Sequence, residues 1–181
     1  MYIKRNIESV LKTRAKHSKC LLITGPRQVG KSTLLKKIYS SAKYYTFDDK
    51  ILLASVQSDP RLFLKNIPIP SILDEVQYAP DIFPYIKIEC DKDNEYEKYY
   101  LTGSQQLKLM TKARESLAGR VSILELQGLS LREINGIEFN RHFVPTDDYI
   151  TEREKCIKPY NDLWQIIHKG SYPELYVVER E

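Results

Sequence analysis

The sequence has no apolar run approaching the ~18 residues that a membrane-crossing helix needs, and its first residues are too basic and too periodic for a secretion signal. Cysteine is scarce: Cys20, Cys90 and Cys156 are scattered without a CxxC pair. That scatter argues against a disulfide framework or a structural zinc and fits a reducing, cytoplasmic setting. The histidines, His17, His142 and His168, are equally dispersed, so a metal held by His and Cys is not expected. Internal repeats and low-complexity segments are missing, which excludes solenoid arrays and linker-like chains. Charge is not one-sided: 28 Lys and Arg against 24 Asp and Glu give +4, short of the asymmetry that would by itself argue for nucleic acid. What is left is ordinary globular composition, 42% hydrophobic and 29% charged over 181 residues, enough for one good-sized core and a small appendage.

Within that plain background one stretch stands out. Leu21-Leu22-Ile23 is a short apolar run, read as a buried strand, and Gly25-Pro26-Arg27-Gln28-Val29-Gly30-Lys31-Ser32 follows it in the pattern G-x-x-x-x-G-K-[ST]. From Thr33 the spacing turns helical, with Leu34, Leu35, Ile38 and Tyr39 as its apolar residues. Gly25 and Gly30 permit a backbone path that turns successive N–H groups toward one anion. The helix that follows adds its unpaired N–H groups and positive dipole end. Lys31 brings a point charge for the β- and γ-phosphates, and Ser32 an oxygen for Mg²⁺. The pattern also arises in an ordinary strand-turn-helix with Lys31 in solvent, but its flanking strand and helix favour a nucleotide held by residues 25–33.

A second stretch, Pro70-Ser71-Ile72-Leu73-Asp74-Glu75, is a strand ending in two acids, with Asp74 43 residues after Lys31. In a parallel sheet both strands open their carboxyl ends onto one crevice. Asp74 is then expected in the Mg²⁺ shell with Ser32, and Glu75 beside the attacking water as orienting group or base. The strand over residues 97–104 ends in Thr102-Gly103-Ser104, where Ser104 and Gln105 are candidates for the γ-phosphate. Helix capping by Ser104 is the competing reading. Arg120 leads into a last strand, Val121 to Leu126; it is either a surface residue or a cation reaching a nucleotide in a neighbouring subunit.

The remaining segments read as supporting structure. Residues 2–16 form an amphipathic helix with Ile3, Ile7, Val10 and Leu11 inward, its basic face solvated or, as the sharper alternative, on nucleic acid. Residues 43–47 form a strand closed by Asp48 and Asp49, either helix caps or acids near the nucleotide. Helices are expected over 50–57, from Pro60, around Ile82, Phe83, Ile86 and Ile88, over 107–118 and over 161–168. A short helix follows Ser130, with Glu133 completing a capping box, and residues 135–150 read as loop.

Four blocks in this order, Gly25 to Ser32, Leu73-Asp74-Glu75-Val76-Gln77-Tyr78-Ala79-Pro80, Leu101-Thr102-Gly103-Ser104-Gln105 and Ser116-Leu117-Ala118-Gly119-Arg120, resemble a prokaryotic branch of the AAA-type ATPases. The resemblance covers residues 1–134, with Gly128 where the family often has proline, a departure expected to be harmless. It implies the α/β class: a three-layer P-loop NTPase with a parallel five-stranded sheet, order 5-1-4-3-2, and helices on both faces. Residues 1–128 would be the ATPase core. Residues 129–181 would be linker, short helices and the start of a truncated C-terminal domain, since Gly170-Ser171-Tyr172-Pro173-Glu174-Leu175 resembles the opening of the uncharacterised domain that follows the core in that family. The resemblance also implies Ser104 as a γ-phosphate sensor and Arg120 as an arginine finger.

The activity expected from these residues and the resemblance is Mg²⁺-dependent ATP binding and hydrolysis that switches an attached domain or partner. ATP and Mg²⁺ are the expected cofactors. A homo-oligomer and a DNA or protein partner through the C-terminal region are possible associations, with no membrane contact. No N-K-x-D motif is present to read guanine, so adenine is preferred, chiefly through the resemblance. The rival readings are a regulatory or DNA-associated module that holds nucleotide with little turnover and, third, a small-molecule kinase.

Overall fold

The computed structural model describes residues 2–104, 107–139, 141–159 and 162–177. They fall into two compact units, Ile7–Gln127 and a second joining Met1–Asn6 to Gly128–Glu181. The first contains a five-stranded sheet organised around β1 (Cys20–Gly25), which is buried at every position. An unbroken apolar run has this fate when helices cover both faces of a strand. β2 (Lys43–Thr46) and β3 (Ser71–Asp74) lie on one side, and β4 (Tyr99–Ser104) separates them from β1. β5 (Val121–Glu125) lies on the other side of β1, giving the order β2-β3-β4-β1-β5 with every pairing parallel. From the β5 edge this is 5-1-4-3-2, the P-loop NTPase order that the resemblance implies.

Register explains how the core is divided. Leu101 is paired with Leu22 on one side and Leu73 on the other, so the three leucines form a row across the sheet. That row packs with Phe47, Val56, Phe63, Phe83, Ile86 and Leu117 into one apolar cluster. Each such side chain, fully buried, contributes about 1.5–3 kcal/mol. Leu21 and Ile23 are one residue out of phase and face the other way. There β1 adjoins α1 (Glu8–Ala15) and α2 (Lys31–Ile38), whose Leu11, Leu34 and Leu35 are fully buried.

The connecting helices start where their side chains cap them. Asp49 accepts from the N–H groups of Ile51 and Leu52 at 2.8 and 3.2 Å at the head of α3 (Lys50–Ser58). Asp59 does the same for Leu62 at 2.9 Å in α4 (Pro60–Asn66), with Pro60 in the first turn where its missing N–H costs nothing. Two 3₁₀ turns, Val76–Tyr78 and Pro80–Ile82, lead into α5 (Phe83–Asp91), and α6 (Leu107–Ser116) precedes β5. Two expectations fail in detail. α1 begins at Glu8 and buries Leu11 and Ala15, leaving Val10 46% exposed, and Ile88 of α5 is 53% exposed although its spacing suggested core.

The second unit is held by a buried ion pair. Arg5 and Glu133 are 3.1 Å apart with side chains only 5% and 6% exposed. Glu133 also takes the N–H of Asn6 at 2.7 Å and of Ser130 at 2.8 Å, the latter as half of the capping box of α7 (Leu131–Ile134). Burial opposes its ionisation, but the Ser130 and Asn6 donors and the Arg5 guanidinium outweigh that and hold its carboxyl below the usual range. A Cβ at Gly128 would stand 2.3 Å from Ser171 Oγ, and the Leu129 N–H donates to the Ser171 carbonyl at 2.7 Å. Glycine at 128 therefore has a local reason. α8 (Asp147–Glu154), capped by Thr146, begins inside the segment read as loop. Its Asp-Asp-Tyr-Ile-Thr-Glu-Arg-Glu sequence has too few apolar residues to show a period. α9 (Leu163–Lys169) and α10 (Glu174–Val177) complete the unit. Among the described residues no helix is long and apolar enough to cross a membrane.

Candidate functional site

Parallel pairing brings the carboxyl ends of the strands to one edge, and the loop between β1 and α2 rises from it. Gly25, at φ 144°, turns so close to the next strand's end that a Cβ would meet the Leu126 carbonyl oxygen at 2.0 Å. No other residue fits there. Gln28 and Gly30 are also left-handed, at φ 64° and 91°, and such reversals turn consecutive N–H groups into a concave anion nest. Val29 is buried and pins the loop, whereas Pro26, Arg27 and Gln28 are exposed. Ser32 is half-buried and Thr33 exposed in the first turn of α2.

Lys31 is only 5% exposed and folds back over its own loop, donating to the carbonyls of Pro26 at 2.8 Å and Gly25 at 3.2 Å. Burial pushes its ammonium below the ordinary lysine value, and the carboxylates of Glu75 and then Asp74 partly restore it. An ammonium desolvated in this way gains from a polyanion placed in the nest.

Asp74, at the end of β3, is the hub. Its Oδ1 accepts from Ser32 Oγ at 2.6 Å and from Thr102 Oγ1, and its Oδ2 accepts from the Tyr44 phenol at 2.6 Å. Three hydroxyls from three elements thus fix one carboxylate. Burial, then the hydrogen bond to Asp74, raises the Tyr44 phenol well above its ordinary value, so it stays a donor. The Ser32 and Asp74 oxygens fit Mg²⁺, which takes one or two protein oxygens and completes its shell with water and phosphate.

Glu75 follows in a left-handed conformation, φ 58° and ψ 44°, a strained state for a side-chain-bearing residue that needs outside support. The support is visible. Its N–H donates to Thr102 Oγ1 at 3.1 Å, and its carboxylate accepts from the Gln77 carboxamide. The other end of Gln77 accepts the Ser104 N–H at 3.1 Å. Gln77 therefore ties the end of β3 to the end of β4. Ser104 is in register with Gly25, and its hydroxyl is buried without a hydrogen-bond partner among the described residues. An orphaned buried hydroxyl beside an anion nest has capacity for a ligand oxygen. Gln105 lies outside the described residues.

The structure thus brings residues 25–33, Asp74, Glu75 and Ser104 to one edge. Arg120 is elsewhere. Its carbonyl accepts the Cys20 N–H at 2.9 Å, at the amino end of β1, and its guanidinium grips both oxygens of Asp91, one of them at 3.0 Å. The six residues of β1 put about 17 Å between that edge and the loop. The reading of Asp49 as an acid near nucleotide gives way to capping. Tyr44 and Gln77 were not singled out from sequence. Tyr44 gave no signal, being one β-former among several, while Gln77 sits two residues past Glu75 within a block that the resemblance already covers.

Comparisons with known proteins bear on the family and the fold. Residues 17–135 match a family model described as an AAA domain. Two curated relatives, uncharacterized proteins from Mycobacterium bovis and Mycobacterium tuberculosis, are each 36% identical over 143 residues, 78% of this chain and 32% of theirs. The chain spans about a third of the length of those relatives. Among solved structures, a Walker-type ATPase of Pyrococcus abyssi gives a TM-score of 0.55 at 14% identity, covering 97% of this chain and 66% of that one. That likeness speaks for the fold.

Proposed function

Because the chain belongs to the AAA domain family, a P-loop ATPase core, we propose that its carboxyl edge binds ATP with Mg²⁺ and hydrolyses it. The observation that supports this most is the Ser32–Asp74 contact of 2.6 Å. It joins the first turn of the loop's helix to the acid at the end of β3 and leaves Glu75 as the next group outward. In this reading the nest of residues 25–30 and Lys31 bind the phosphates, and Thr33 continues the binding turn. Ser32 and Asp74 hold Mg²⁺, which when bound supplies charge neutralisation at the β- and γ-phosphate oxygens. Glu75, kept in place by Thr102 and Gln77, orients a water and takes its proton. The Ser104 hydroxyl contacts the γ-phosphate, and the N–H groups and Lys31 stabilise charge that grows in the transition state. Arg120, on the far edge of its own sheet, would act only on the nucleotide of a second copy. Residues 129–181 would pass the nucleotide state on to an attached domain, protein or DNA, in a cytoplasmic setting.

Phosphate release by the wild type and by Glu75→Gln is the test. Loss of a positioned base costs on the order of 10²- to 10⁴-fold, while Mg-ATP binding should persist. Equal phosphate release by the two proteins would remove Glu75 from its role. ATP binding without release by either would leave the nucleotide-holding module as the reading.

A further inference from the structure

At the amino end of β1 two thiols face each other. Cys20 opens the strand, Cys90 lies in the last turn of α5, both are fully buried, and their sulfurs are 3.2 Å apart. Two ammonium groups converge on the same helix end. Lys19 donates to the Cys90 carbonyl at 2.6 Å, and the buried Lys98 donates to the Glu89 carbonyl at 3.1 Å. The ATPase reading uses none of these groups.

We propose that Cys20 and Cys90 form a dithiol oxidation site, which a hydroperoxide converts into an intramolecular disulfide joining the end of α5 to the start of β1. The two sulfurs have different roles. The hydrogen bond from Cys20 lowers the Cys90 thiol below its ordinary value against the opposing effect of burial, and Lys98 and Lys19 add to it. Burial pushes the Cys20 thiol up. Because the two ammonium groups converge on its end of α5, Cys90 is the attacking sulfur and Cys20 the resolving one. The Cys90 thiolate attacks one peroxide oxygen, the O–O bond breaks, and hydroxide leaves to be protonated to water. Cys90 is left as a sulfenic acid. Cys20 sulfur then attacks Cys90 sulfur, the S–O bond breaks, and the oxygen leaves as water with the Cys20 proton. Two thiols and one hydrogen peroxide give one disulfide and two waters, with two electrons passing from sulfur to oxygen. The sulfurs need close only from 3.2 Å to about 2.05 Å. The bond would form beside the Arg120–Asp91 pair, since Asp91 follows Cys90 and the Arg120 carbonyl takes the Cys20 N–H. A transient disulfide of this kind is compatible with a reducing compartment, where such bonds are sensing devices rather than scaffolds.

The test is peptide mapping of the full chain after hydrogen peroxide, with Cys156→Ser as background so that the third thiol, in the other unit, takes no part. The expected result is a peptide pair linking Cys20 to Cys90, an intact mass lower by two hydrogens, and reversal by dithiothreitol. The cross-link spans 70 residues, so the thermal midpoint should rise by at least ~5 °C on oxidation. Cys20→Ser should arrest Cys90 as a sulfenic acid that a dimedone probe traps, whereas Cys90→Ser should leave Cys20 unlabelled. Oxygen gained at either cysteine of the Cys156→Ser protein without a cross-link would overturn the proposal. So would both thiols staying reduced in the folded chain while the unfolded chain oxidises. Neither outcome depends on ATP hydrolysis.

Discussion

The two edges of the sheet hold similar polar side chains and treat them in opposite ways. At the amino edge the charges are matched within the chain: Arg120 with Asp91, Lys98 with Asp93 at 2.6 Å, and Lys19 with the carbonyls of Cys90 and Asp93. At the carboxyl edge the groups are held in place but incompletely used. Lys31 rests on its own loop's carbonyls, the Ser104 hydroxyl has no partner among the described residues, and Glu75 occupies a strained backbone state. A buried polar group normally finds its partner inside the protein. The Tyr99 hydroxyl at the amino edge is likewise buried without a partner among the described residues. Only at the carboxyl edge, however, does the orphan, Ser104, lie in register with the anion nest and beside a buried ammonium and a carboxylate held in a strained backbone, so that edge is the one shaped around something else.

Removing its main cation should break that contrast most severely. Lys31→Ala deletes the buried ammonium that faces the nest, and a hydrogen bond to a charged group contributes about 1.5–3 kcal/mol. ATP affinity should fall on the order of 10- to 100-fold, read by titration with a fluorescent ATP analogue. Unchanged affinity would mean that the Lys31 contacts to Gly25 and Pro26 are its resting place in every state, and the two edges would no longer differ.

Gln77→Ala comes next. The carboxamide joins the Glu75 carboxylate to the Ser104 N–H, so its loss should let Glu75 wander while leaving the loop intact. Turnover should drop about 10-fold with ATP affinity unchanged, since a small misplacement of a reacting group is costly. A fall in affinity as large as the fall in turnover would make Gln77 a structural tie only. Tyr44→Phe removes one of three hydroxyl donors to Asp74. Ser32 and Thr102 still hold the other oxygen, so the Mg²⁺ concentration for half-maximal activity should rise by about 10-fold or less. No change would show that Tyr44 packs against the site without orienting it.

These predictions also mark where sequence reasoning reaches. Gly25, Lys31, Ser32, Asp74 and Glu75 could be read because each is fixed by spacing over a few residues next to an apolar strand. The sheet order could be named because four such blocks occur together. Gln77 lies within one of those blocks, yet its role depends on an N–H 27 residues away, a relation that linear order does not encode. Tyr44 comes from a strand whose composition, Lys-Tyr-Tyr-Thr, says only that it prefers β structure. The Cys20–Cys90 contact joins a strand to a helix end 70 residues on, so the scatter of cysteines in sequence hid a pair in space. α8 escaped because its helical state rests on the Thr146 cap and has little apolar period to reveal it.

Arg120 gives the smallest expected effect on a single chain, and for that reason it tests the contrast most finely. Its guanidinium is already engaged by Asp91 and by the Ala118 carbonyl at 2.8 Å, and the pair is solvent-accessible, where ion pairs contribute little to stability. Arg120→Ala should therefore leave ATP affinity and the thermal midpoint unchanged, as should phosphate release per chain at low protein concentration. If the residue serves a second copy, wild-type phosphate release per chain should rise with protein concentration, and Arg120→Ala should flatten that rise. For this to happen the guanidinium must leave Asp91, so Asp91→Asn, which weakens the grip without removing the arginine, should shift the rise to lower concentration. A concentration-independent wild type would confine Arg120 to the amino edge, as one more charge matched within its own chain.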